Sequence, residues 1–93
     1  MDRIIARRVV LRGLVQGVGF RYWTRSVASR LGLDGWVRNR GDGSVEMVVR
    51  GDSERVGEMI DLCRRGPGGA HVSELSAFEE PPDSVQRGFD VRF

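Results

Sequence analysis

Gly17 and Gly19 flank Val18 in a segment that starts at Gln16 and runs into Phe20 and Arg21. Glycines at that spacing let a backbone approach an anion closely. A helix that begins there offers unpaired N–H groups and partial positive charge. Arg21 adds a permanently charged planar donor that forks onto two oxygens. Further along stands Asn39, a carboxamide next to the segment Arg40-Gly41-Asp42-Gly43. Together these groups describe a site for a phosphate-sized anion that uses neither metal nor lysine. Each part also has a plainer reading. A glycine-containing loop before a helix is usually a connection, and an asparagine beside a glycine turn is commonly a turn-former. Arg21 stands at the end of the helix dipole that disfavours cations. A bound anion would offset that cost, and a surface arginine also tolerates it. The case rests on the combination.

The composition removes most other chemistry. The chain has 93 residues, room for one domain, residues 1–93, and 40% of them are apolar. One cysteine, Cys63, rules out an intrachain disulfide and a cysteine cluster for zinc. One histidine, His71, rules out a multi-histidine metal site. All 15 basic residues are arginine, so there is no Schiff-base lysine and no Walker A lysine. No apolar run reaches the length of a membrane span, and the segment Met1–Arg8 has no signal-peptide core. A cytoplasmic protein is the expectation. The net charge of +2 is unevenly spread: residues 1–50 hold ten arginines against four acids, residues 51–93 five against nine. A basic half attracts small anions or nucleic acid. The two halves equally attract each other across one domain.

Short elements must bring the chemistry-bearing residues together. Val9-Val10-Leu11 reads as a buried strand. From Phe20 the period changes, and Phe20, Trp23, Val27, Ala28 and Leu31 form the stripe of an amphipathic helix that Gly32 caps. Gly35–Asn39 is a second strand, Arg40–Gly43 a turn with the Asp-Gly hairpin signal, and Val45–Val49 a third strand. A second helix begins near Asp52 or Ser53 as N-cap and carries Val56, Met59, Ile60 and Cys63 inward. Residues 70–79 form a fourth strand that Pro81-Pro82 stops, and Phe89, Val91 and Phe93 alternate as a fifth. Val10-Leu11-Arg12-Gly13 echoes Val48-Val49-Arg50-Gly51, and a helix follows each. The order predicts an α/β (α+β) chain with a ferredoxin-like βαββαβ sandwich. Its antiparallel sheet carries two helices on one face and a fifth strand at an edge. That topology gathers the Gln16–Gly19 loop, the helix start, Asn39 and the Arg40–Gly43 hairpin along one edge.

The residues also carry a resemblance. Gly13-Leu14-Val15-Gln16-Gly17-Val18-Gly19-Phe20-Arg21 is similar to the first signature of the acylphosphatase family, G-x-V-Q-G-V-x-F-R. Gly35-Trp36-Val37-Arg38-Asn39 through Gly43, Val45 and Gly51 resembles its second signature. Every defined position matches, and the resemblance extends over the chain's length and element order. It implies a metal-independent, cofactor-free hydrolase that cleaves the carboxyl–phosphate bond of small acyl phosphates to a carboxylate and inorganic phosphate. It implies Arg21 and Asn39 as the catalytic pair and Gln16, Gly17, Val18, Gly19 and Phe20, with Arg21, as the phosphate loop. Such chemistry asks for positioning and charge stabilisation. Loop N–H groups and Arg21 would hold the nonbridging oxygens, and Asn39 a water in line.

The remaining candidates read as structure. Cys63 sits on an apolar stripe and is expected in the core. Trp23 and Trp36 are expected there too, with an alternative place for Trp36 near the acyl group. His71 reads as structural or solvated. Alternation turns Arg38 to the face opposite Asn39. A rival reading is an RNA platform, but the first and third strands lack the aromatics that stack bases. Others are a catalytically silent phosphate-ligand-binding domain and a domain of a larger maturation protein. A monomer without nucleic-acid or membrane partners is the expectation.

Overall fold

The computed structural model describes residues 3–93. Its elements are β1 (Ile4–Leu14), α1 (Phe20–Arg30), β2 (Asp34–Asn39), β3 (Val45–Asp52), α2 (Ser53–Arg65), β4 (His71–Glu80) and β5 (Phe89–Arg92), with one 3₁₀ turn at Pro82–Ser84. The sheet order is β4-β1-β3-β2-β5. The first four strands pair antiparallel, as expected. The fifth lies at the edge beside β2 but pairs parallel to it, so the sheet is mixed. The direction follows from the connection. β4 ends at the opposite edge, at the end of the sheet where β2 begins, and residues 81–88 cross along that end before β5 sets out.

β1 is much longer than its apolar run. It is interior, and both neighbours supply backbone partners from Ala6 to Leu11. Its arginines extend the strand because alternation sends Arg8 and Arg12 to the open face. The echoed segments of the sequence lie in β1 and β3, interior strands that pair with each other.

Val9, Leu11, Val37, Val45, Met47 and Val49 form the covered face of the sheet and pack with Val27 and Ala28 of α1 and Val56, Met59 and Cys63 of α2. Burying each such aliphatic side chain contributes about 1.5–3 kcal/mol. α1 lies over β2 and β5, and α2 over β1, β3 and β4. Gly35 permits β2 to close on β3: its φ is +143°, and a side chain there would collide with the Val48 carbonyl.

On the open face paired charges stand among apolar residues, Val10, Val48, Trp36 and Phe78 sharing it with Arg8, Arg38 and Glu46. Glu46 is 7% exposed and accepts from Arg38 Nε at 2.7 Å and from Arg8 Nη1 at 3.2 Å. Burial pushes its carboxyl up, but the Arg38 bond and charge, with Arg8, outweigh that and hold it below the usual glutamate range. Trp36 departs from the expected core position. Register places it on the open face, where the Arg92 and Arg38 guanidinium groups lie 4.5 and 5.7 Å from its ring. The glycine before it leaves strand alternation intact, so its neighbour Val37 takes the core side.

Candidate active site

The edge of the sheet after β1 collects the residues singled out in the sequence. β1 ends at Leu14 and the chain turns through Val15–Gly19 into α1. Gly19 is the N-cap, at φ 77° and ψ 20°, a left-handed conformation that glycine adopts without strain. It has no side chain with which to cap the helix, and the first turn of α1 holds no acid. α2 differs: the Asp52 carboxylate accepts from the Glu54 N–H, and Glu54 stands in the first turn. The partial positive charge of the α1 N-terminus is therefore not neutralised by the helix itself.

Asn39 ends β2 on the covered side of the sheet, opposite Val45 in β3. It meets the loop in a concavity of about 150 Å³ lined by Val15, Gly17, Gly19, Phe20, Arg21, Tyr22 and Asn39. Arg21 and Asn39, distant in sequence, thus face one space. The half-buried Arg21 side chain reaches across to β5. Its Nη1 donates to the Arg92 carbonyl at 2.9 Å, and its guanidinium lies 4.6 Å over the Phe93 ring. Arg38 lies on the other face, as alternation predicted, in its ion pair with Glu46.

Two loop residues do not line the concavity. Val18 packs against the core. Gln16 turns its side chain the other way. Its Nε2 donates to the Arg40 carbonyl at 2.8 Å and to the Ser44 carbonyl at 2.9 Å. Any contact of either residue with an anion would run through the backbone. The Gln16 amide ties the loop to the β2–β3 hairpin, and nothing in its sequence position distinguished that role from anion binding.

The hairpin is braced separately. Asp42 Oδ1 accepts from Ser44 Oγ at 2.6 Å and Ser44 N at 3.0 Å, and Oδ2 pairs with Arg12 at 3.2 Å. The Ser44 bonds, helped by Arg12 and Arg40, hold the Asp42 carboxyl well below the usual range. Asp42 is therefore ionised and structural throughout ordinary pH.

Cys63 is fully buried, as expected, and burial pushes its thiol up to about 12. His71 opens β4 on the far side of β1, opposite Leu14, and does not line the concavity. Among the described residues no group of three or more His, Cys, Asp or Glu is arranged to hold a metal ion. Sequence reasoning missed Tyr22 and Phe93. One signal was present for Tyr22, an aromatic off the apolar stripe of its helix; Phe93 was hidden as the last member of the β5 alternation.

The acylphosphatase family model matches residues 7–91. The chain is 54% identical over 88 residues to the acylphosphatase of Rhizorhabdus wittichii, covering 95% of this chain and 87% of that protein. Among solved structures, an acylphosphatase from Bacillus subtilis superposes with a TM-score of 0.90 at 30% identity, covering 98% of this chain and all of that one. An acylphosphatase from Coxiella burnetii gives 0.88 at 34% identity, over 96% of this chain and 93% of that one.

Proposed function

Since the chain belongs to the acylphosphatase family and is an enzyme that hydrolyses the carboxyl–phosphate bond of acyl phosphates, we propose that Arg21 and Asn39 carry that reaction. The observation that supports this reading is the single concavity that Arg21, Asn39 and the uncapped start of α1 share.

The phosphoryl group sits at the Gly17–Gly19 loop, against the N–H groups of the Gln16–Arg21 backbone. Those donors and the helix dipole meet its nonbridging oxygens. Arg21 has five N–H donors and gives one to the Arg92 carbonyl, which leaves a fork for the same oxygens. The Asn39 carboxamide orients a water on the far side of phosphorus. The water oxygen bonds to phosphorus and the bond from phosphorus to the acyl oxygen breaks. Its electron pair leaves on the carboxylate, and a water proton passes to phosphate or solvent. The leaving group is already a weak base, so no strong general base is required. The donors are fixed before the reaction, and their work is positioning and charge stabilisation.

The substrate is a small molecule. Nucleic acid is outside this reading: on the open face Arg8 and Arg38 pair with Glu46, Arg12 with Asp42 and Arg50 with Asp34, and Arg92 lies over the Trp36 ring. Among the described residues no helix is long and apolar enough to cross a membrane. The reading also takes the enzyme as a cytoplasmic monomer that uses no metal.

The test is hydrolysis of benzoyl phosphate by the purified chain, with and without a chelator. Turnover is expected to be the same in both. Arg21→Ala is expected to lose about 10²–10³ in rate, as removal of a preorganised donor does. Asn39→Ala lowers kcat while inorganic phosphate still competes. Wild-type rates in Arg21→Ala, or lost phosphate competition with intact kcat in Asn39→Ala, would overturn these roles.

A further inference from the structure

Two exposed aromatic rings meet beside the concavity: Tyr22 lines it, and Phe93 lies against Tyr22 and Arg21. Phe93 is 91% exposed and Tyr22 50%. Their centroids are 6.4 Å apart and their planes are tilted by 53°. A single exposed apolar residue is ordinary, but a pair in mutual contact that adds nothing to the core is not accounted for by folding.

Their placement gives them a use. Tyr22 lines the same concavity as Arg21 and Asn39. The Phe93 ring lies 4.6 Å beneath the Arg21 guanidinium, and Arg25 covers the Tyr22 ring at 5.4 Å. The result is an aromatic ledge with a cationic rim, continuous with the phosphate loop. An acyl phosphate has two ends. Its phosphoryl end is common to every substrate, so loop and arginine recognise all of them alike. Only the acyl end distinguishes one substrate from another, and it projects from the phosphoryl group by a single oxygen link.

Resting on the assignment of the phosphoryl group to the Arg21 loop, we infer that Tyr22 and Phe93 bind the acyl group and select flat, apolar acyl groups over small aliphatic ones. A planar ring packs against two tilted rings in the offset and edge-to-face arrangements that aromatic pairs prefer. A methyl group covers little of that surface. Phe93 also touches Arg21, so its truncation could act through the guanidinium alone, whereas Tyr22 separates the two effects.

The experiment compares benzoyl and acetyl phosphate as substrates of wild type, Tyr22→Ala and Phe93→Leu. The ratio of kcat/KM for benzoyl over acetyl phosphate is expected to fall about tenfold in Tyr22→Ala, the upper end of what one aromatic contact contributes. A smaller fall is expected in Phe93→Leu, which keeps an apolar surface. An unchanged ratio, or a parallel fall for both substrates, overturns the ledge. A binding arm needs no turnover: calorimetry with benzylphosphonate and methylphosphonate. The wild type is expected to prefer the benzyl compound and Tyr22→Ala to lose the preference. A wild type with no such preference overturns the ledge. If neither acyl phosphate is hydrolysed, the proposed function falls, while the calorimetric comparison still decides the ledge.

Discussion

Replacing Gln16 by alanine separates a tie from a ligand. The Gln16 amide donates two neutral hydrogen bonds, to the Arg40 and Ser44 carbonyls. Each such bond contributes a net of about 0.5–1.5 kcal/mol. Both carbonyls keep a backbone partner without it: Ser44 accepts from Arg40 N at 2.8 Å, and Arg40 from Gly43 N at 3.2 Å. Neither is orphaned, so the loss stays near the two bonds themselves, about 1–3 kcal/mol. In a domain of this size that lowers Tm by roughly 4–24 °C. The activity effect is indirect. The Gly17–Gly19 loop comes loose from the hairpin that follows Asn39, and small misplacements of reacting groups cost up to about 10²-fold. Urea unfolding, thermal melts and inhibition by inorganic phosphate should report lower stability and weaker phosphate binding together. Gln16→Glu should be worse, since a carboxylate cannot donate to either carbonyl. Unchanged stability and unchanged phosphate inhibition in Gln16→Ala would refute the tie. Weaker phosphate binding at unchanged stability would show that the side chain itself meets the anion.

Glu46 predicts a pH dependence. Its folded pKa lies below its ordinary value of 4.5, so its stabilising effect is present above the unfolded value and lost as pH falls through the folded one. Glu46→Gln should cost about 1–3 kcal/mol at pH 7, and the gap to wild type should narrow as pH falls below about 4.5. A gap constant from pH 7 to pH 3 in urea unfolding would refute the pairing. Cys63, with its thiol pushed up to about 12 by burial, should not react with a thiol reagent at pH 8 in the native protein. It should react as one thiol in urea, and rapid native labelling would contradict its burial.

Much of the fold was legible because its rules are local. The shift from strand to helix at Phe20 follows from apolar spacing, and the capped α2 start from Asp52. The sandwich follows from the order of elements. The candidate site was legible for a related reason. Gly19, Arg21 and Asn39 lie at element ends, and chain direction alone decides which ends share an edge. Arg38 shows the same logic in reverse, since alternation turned it away.

Where the reading departed, a contact between distant segments decided. Trp36 has the composition of a core residue, yet the register of β2 against β3 turns it to the open face between Arg38 and Arg92. The backbone of Gln16 stays in the proposed anion loop, but the role of its side chain was not legible, because its amide finds carbonyls 24 and 28 residues away. The parallel direction of β5 depends on the crossing from β4, which no periodicity encodes. That direction delivers Phe93 to Arg21 and Tyr22. Sequence thus determined which groups of this protein could meet a phosphate, because backbone geometry and charge belong to residues one at a time. Tertiary structure alone decided what surrounds them, because a side chain's neighbours are set by register and crossover, and those are properties of the whole sheet.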